Sequence, residues 1–230
     1  MRKLFVMGGG GFAMEPENLL LDKYILSLSP ETNPSICFLG TANGDSENYR
    51  ERFYKAYESL QCRPTHFSVF KPSTRDIFDY FANQNIIHVG GGNTKNLLCL
   101  WKEWGIDLAL NKAYQNGVIL SGMSAGMICW FENGVTDSYG DGLEPLNGLG
   151  ILKGSACPHF DGESARKPSY VKLIQEKKIQ GGLALDDGTG ALYLDEALHE
   201  CVSSRSTAKA RAYASVTAFE EAIYVRHLGY

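Results

Sequence analysis

Apolar residues along this chain come in short runs separated by amphipathic stretches. KLFVM (3 to 7), SICFLG (35 to 40), THFSVF (65 to 70), NIIHVG (85 to 90) and GVILS (117 to 121) are mostly apolar. Such runs suit strands buried on both faces of a parallel sheet. Between them the period changes. In SENYRERFYKAYESL, residues 46 to 60, Tyr49, Phe53, Tyr57 and Leu60 recur at intervals of three and four, one face of a helix. Residues 93 to 104 and 106 to 115 read as helical too. Strand–helix alternation at this spacing predicts a doubly wound or three-layer α/β fold with right-handed crossovers.

The last third changes character. After a helical pattern at 164 to 178 come GGLAL, GALYL, HECVS, KARAYAS and AIYVRHL, read as a strand meander or an extension of the sheet. No repeat, low-complexity tract or linker interrupts the chain. With 230 residues, 44% of them apolar, residues 1 to 230 are expected to form a single domain.

Charge and cysteine usage narrow the function classes. Net charge is −4 and no run of Lys or Arg builds a basic patch, so neither nucleic acid nor an anionic membrane is an expected partner. Six cysteines, at 37, 62, 99, 129, 157 and 201, form no CxxC pair and read as free thiols of a reducing cytoplasm. The apolar stretch before the N-terminal glycines is too short for a signal-peptide core. No run approaches the ~18 apolar residues of a membrane span. A cytoplasmic location is expected.

Three glycine-rich turns follow predicted strands, where ligands bind in sheets of this kind. In MGGGGFA (7 to 13), Gly8, Gly10 and Ala13 satisfy a permissive G-x-G-x-x-A dinucleotide pattern. That pattern also needs an acid ending the next strand, and SICFLG ends instead in Gly40 and Thr41. Close backbone packing is the better reading. HVGGGNT (88 to 94) precedes a helical pattern, so the N–H of Gly91 or Gly92 is available for an anion, or the segment is simply a tight turn. In ILSGMSAGMICWF, Gly122-Met-Ser-Ala-Gly126 is the G-x-S-x-G of a nucleophile elbow. There Ser124 stands above the strand end, and the N–H of Ala125 faces a developing oxyanion.

A serine nucleophile needs a base. His88 and His66 fall within strands, His199 lies in a polar hairpin, and His227 is near the C-terminus. His159, in ACPHFDGE, follows a β-like stretch and precedes a polar loop, a position from which it reaches a neighbouring elbow. The acid that orients it is sought at Asp186 or Asp187 in LALDDGTGALY, or at Asp137 or Asp141 in VTDSYGDG. Cys129, five residues beyond Ser124, cannot occupy the elbow.

HVGGGNTKNLL, ILSGMSAG, PHFDGE and LALDDGTGALY, in this order and spread over nearly the whole chain, resemble the dipeptidase E and cyanophycinase family of serine peptidases. The resemblance implies a three-layer sandwich around a mostly parallel sheet, like that of class I glutamine amidotransferases, with extra C-terminal strands. It implies a cofactor-free and metal-free hydrolase acting on short peptides next to aspartyl residues. Carried over, Ser124 matches the nucleophile and His159 the base, while Gly92 and Ala125 match the oxyanion-hole donors. Asp187 stands where cyanophycinase has a Glu and is the preferred acid. Dipeptidase E carries its Asp where this chain has Ser138, which leaves the adjacent Asp137 as runner-up. Arg166 in GESARKPSY lies roughly where dipeptidase E holds the substrate aspartate, and an Arg fork suits a carboxylate. Gly91 and Asn93 join it as expected substrate-binding residues. The expected partner is a small peptide, and a homodimer stays open. A second function class, a peptide- or metabolite-binding regulator without a competent acid, also stays open.

Overall fold

The chain alternates strand and helix through its first half because each apolar run is followed by a segment with one apolar face. In the computed structural model, which describes residues 1–229, β1 (Lys3–Met7) leads into α1 (Gly11–Met14) and α2 (Leu20–Ser27). Next come β2 (Ser35–Leu39), α3 (Glu47–Tyr57), β3 (Arg63–Phe67) and α4 (Ile77–Ala82). They are followed by β4 (Ile86–Val89), α5 (Thr94–Trp104), α6 (Ile106–Gln115), β5 (Ile119–Met123) and α7 (Ala125–Ile128). The second half is strand-rich: β6 (Phe131–Thr136), β7 (Glu144–Asn147), β8 (Leu152–Cys157), α8 (Arg166–Gln175) and β9 (Gly182–Leu185). β10 (Thr189–Leu194), β11 (Ala197–Ser203), β12 (Ala210–Tyr213), β13 (Glu220–Ile223) and β14 (Val225–His227) complete it.

Two sheets result. The larger has the order β14-β11-β10-β1-β5-β4-β2-β3. Its strands from β1 to β3 run parallel, and β10 joins β1 antiparallel. Side chains alternate across it. Leu4, Val6, Ile87, Val89 and Leu120 enter one cluster with α5, α6 and Trp130. Phe5, Met7, Ile36, Phe38 and Met123 enter the opposite one with Leu21, Ile25, Phe53 and Tyr57. Tyr49, Phe53 and Tyr57, the predicted apolar face of α3, are all buried there. Both faces are covered, as a parallel sheet requires.

The second sheet, β13-β12-β9-β8-β6-β7, is where the structure departs from the sequence pattern. Of the C-terminal runs, β10, β11 and β14 extend the main sheet as expected, but β9 pairs with β8, and β12 and β13 follow it outward in the second sheet. Alternation defines a strand but not its partner, so the split between sheets was not readable. β3 begins two residues before THFSVF and starts Arg63-Pro64, which is tolerated because it is the edge strand. β5 runs past GVILS to Met123, so the elbow starts at the sheet's rim.

Candidate active site

β1, β5 and β4 are neighbours, and their ends are in register: Val6 and Val89 both lie beside Gly122, and Met7 beside Met123. The three glycine-rich turns therefore emerge side by side. Ser124 sits between β5 and α7 at φ +58° and ψ −113°, a backbone that costs a non-glycine residue roughly 1–3 kcal/mol. The flanking glycines have a steric reason. A Cβ at Gly122 would run into the backbone of Gly126, and one at Gly126 into the carbonyl of Val89.

The second sheet brings the partners. His159 follows β8, and Asp187 follows β9. His159 Nε2 lies 2.8 Å from Ser124 Oγ, and His159 Nδ1 lies 2.6 Å from Asp187 Oδ1. With its side chain only 11% exposed, Asp187 is largely shielded from water, which strengthens its pull on the ring. Asp187 is held in turn by its own N–H, which donates to Asp161 Oδ1 at 2.8 Å. Asp186, the other member of the pair, faces away. It accepts from Arg211 Nη1 and from the Lys209 N–H, tying β9 to β12. Asp137 makes no hydrogen bond to His159 and lines the pocket instead.

The MGGGGFA turn packs; it makes no nucleotide cradle. Met7 O accepts from Ser124 N–H, Gly8 O from His159 N–H, and Gly9 O from Gly188 N–H. A side chain at Gly8 would press on Asp186 O at 2.6 Å, and one at Gly9 would overlap the Asp187 carboxylate. This turn thus holds the segments of all three reactive groups, a role its glycines hinted at only through their lack of volume.

HVGGGNT stands on the other side of Ser124. A Cβ at Gly91 would lie 3.6 Å from Ser124 Oγ, and Gly92 takes φ +136° against the carbonyl of Ala42. Gly91 N–H is already committed, donating to Tyr49 Oη at 3.2 Å. Among the described residues the N–H groups of Gly92 and Ala125 have no protein acceptor. Asn93 borders the pocket with its side chain engaged: Oδ1 caps α5 through Asn96 N–H, and Nδ2 donates to Ser138 O. Of the two expected substrate-binding residues, Asn93 lines the cavity and Gly91 stands behind Gly92, outside its lining.

Arg166 is engaged within the protein as well. It opens α8 buried at 3% exposure and borders the pocket, with three of its five N–H donors taken. Nε and Nη2 donate to Glu163 at 2.7 and 3.3 Å, and Nη1 donates to Val135 O at 3.0 Å. Glu163 was missed, although a carboxylate three residues before an arginine at a helix start was a readable signal. Tyr49 was missed too, because it reads as a core position of α3.

Gly92, Asn93, Ser124, Asp137, Ser138, His159, Glu163 and Arg166 enclose a polar cavity of about 300 Å³. A wider groove of about 520 Å³ beside Arg211 and Tyr224 has, among the described residues, no serine, cysteine or histidine in its lining. Two of the other histidines have partners elsewhere. His88 is buried 3.1 Å from Ser121 Oγ, and burial pushes its pKa down to about 4. His66 contacts Tyr54 Oη. Cys129 is buried, and desolvation holds its thiol well above the usual range, so no thiolate forms beside the elbow. The six cysteines are free thiols. Among the described residues no helix is long and apolar enough to cross a membrane.

Hydrolysis with a serine nucleophile is the chemistry that an elbow, an imidazole and a carboxylate in this order serve on many unrelated scaffolds. Comparisons with known proteins agree. A model of peptidase family S51 matches residues 4–201. "Uncharacterized peptidase YgaJ" of Bacillus subtilis (strain 168) is 54% identical over 210 residues, covering 91% of each chain. The fold is similar to a crystal structure of a peptidase from an acI-B1 actinobacterium, with a TM-score of 0.68 at 17% identity, covering 98% of this chain and 95% of that one. A putative peptidase E protein from Listeria monocytogenes EGD-e gives a TM-score of 0.65 at 19% identity over 86% of this chain and 97% of that one. The chain belongs to peptidase family S51 and is a serine-type peptidase.

Proposed function

We propose that the protein hydrolyses short peptides through an acyl-enzyme on Ser124, with His159 as base and Asp187 as the acid that orients it. The observation that carries this reading is the unbroken Ser124–His159–Asp187 hydrogen-bond chain of 2.8 and 2.6 Å. Ser124 Oγ attacks the scissile carbonyl carbon while His159 Nε2 takes its proton. Asp187 accepts the Nδ1–H bond and stabilises the imidazolium. The N–H groups of Gly92 and Ala125 receive the oxyanion. His159 then gives its proton to the leaving amine, and water attacks the ester by the same route in reverse. A cavity of about 300 Å³ supports a small substrate.

The reading as an inactive regulator rested on a missing acid, and Asp187 beside His159 supplies one. The aspartyl-dipeptide reading came from the family resemblance, with Arg166 as its expected anchor, and Glu163 already holds the Nε and Nη2 edge of that fork. Short peptides, and not aspartyl dipeptides in particular, are therefore the substrate class proposed. The test is a dipeptide-library assay with Ser124→Ala as control. The variant is expected to lose activity by about 10⁶-fold. Equal rates for variant and parent would sink the mechanism.

A further inference from the structure

The charge around Ser124 differs from what a pocket for an acidic side chain needs. Among the described residues, Arg166 is the only cationic side chain bordering the cavity, and Glu163 and Asp137 are the two carboxylates. The Arg166 side chain is 4% exposed, and Glu163 grips it through both Nε and Nη2. The third face of the fork, Nη1, is held by Val135 O on β6. The guanidinium is thus fixed, desolvated and neutralised before any substrate arrives. Asp137, on the segment after β6, forms no ion pair among the described residues and is left as uncompensated negative charge on the same wall. One cation against two anions leaves the cavity net negative.

Resting on the peptidase reading of this site, we infer that Glu163 sets the substrate charge. It occupies on Arg166 the position that a substrate carboxylate would take, so the enzyme rejects an acidic residue at the scissile bond and favours a basic one, whose cation Asp137 attracts. An incoming aspartate meets two carboxylates and a fork whose Nε–Nη2 edge Glu163 already holds, and like-charge juxtaposition of this kind discriminates strongly. A lysine meets complementary charge. Glu163 is the element that can be altered without touching Ser124, His159 or Asp187. With 47% of its side chain exposed, it leaves a gap that water fills, so the guanidinium keeps a solvent contact when it is removed.

The experiment compares Lys-Leu and Asp-Leu dipeptides in the parent, Glu163→Ala and Glu163→Gln. Glu163→Gln keeps size and an acceptor for Nε, guarding against a folding failure of Glu163→Ala. For the parent, kcat/KM for Lys-Leu is expected to exceed that for Asp-Leu by about tenfold or more, and both variants should shift the ratio toward Asp-Leu by a similar factor. Calorimetric binding of the same two dipeptides is measured in parallel on Ser124→Ala and on Ser124→Ala/Glu163→Gln. Binding needs no turnover, so the same order of preference there supports the charge assignment even if the proposed chemistry fails. A parent that prefers Asp-Leu, or a Lys/Asp ratio unchanged by both Glu163 variants in turnover and in binding, would overturn it.

Discussion

Replacing Asp187 with alanine isolates the most consequential contact in the site. Asp187 Oδ1 sits 2.6 Å from His159 Nδ1, and the ring's other nitrogen sits 2.8 Å from Ser124 Oγ. As the imidazole takes the serine proton, a charge pair forms that was absent in the ground state, so its attraction acts on the barrier. With charge centres roughly 4 Å apart and an effective dielectric of about 20, that attraction is about 4 kcal/mol. At about 1.4 kcal/mol per tenfold this is roughly a thousandfold in kcat. Loss of the acceptor also frees the ring to change tautomer and rotate, adding roughly another factor of ten, for a total near 10⁴. The assay is steady-state hydrolysis of the best library dipeptide, with thermal unfolding to confirm that the variant is folded. Asp137→Asn is the comparison, since it leaves the 2.6 Å contact intact and should keep kcat within about tenfold of the parent. If Asp187→Ala stays within tenfold of the parent while Asp137→Asn collapses, the acid has been misassigned.

Three further outcomes follow from contacts around this chain of groups. Gly9→Ala places a methyl group where the Asp187 carboxylate lies, so kcat should fall at least about tenfold, or stability by about 1–3 kcal/mol, read by kinetics and melting. Tyr49→Phe strips the acceptor from Gly91 N–H beside the proposed oxyanion hole; a tenfold or so drop in kcat with little change in KM is expected from a cost of about 1–3 kcal/mol. Asp22, fully buried against Tyr57 Oη, has its pKa raised by burial from 3.8 to about 6. Between those values the folded protein keeps a proton that the unfolded chain has released, so stability falls as pH rises through that window, by about 3 kcal/mol at most. Asp22→Asn should flatten that slope in denaturant titrations at pH 4 and pH 7, whatever it does to absolute stability; an unchanged slope would show that Asp22 is not its source.

Much of this was readable before any coordinates. Short apolar runs gave β1, β2, β4 and β5 to within two residues at each end, since buried parallel strands leave an unambiguous local signature. G-x-S-x-G and GGGNT were legible because tight backbone approach admits only glycine, and the register of β1, β5 and β4 brings both turns to Ser124. What stayed hidden depends on pairing across the chain. The second sheet is built from β6, β8 and β9 in parallel, and nothing local in GGLAL says that its neighbour is β8. The same limit applied to the acid. Asp186 and Asp187 are adjacent and chemically alike, and only the direction of β9 sends one to Arg211 and the other to His159. Arg166 misled for a related reason, because its type signalled carboxylate binding while the carboxylate was supplied three residues away in the same chain.

The glycine turn after β1 has a mechanical consequence. Ser124 belongs to one sheet, whereas His159 and Asp187 hang from the other, so any relative slide of the two sheets would open the serine–histidine gap first. Met7, Gly8 and Gly9 offer three consecutive carbonyls to the amides of Ser124, His159 and Gly188. Three segments drawn from two sheets are thereby indexed to a single strand end, like parts located on one jig. Alignment of the reacting atoms then depends on a stretch that carries no reactive group of its own. Its tolerance to sequence change is set by the 2.6 and 2.8 Å contacts of the groups it locates.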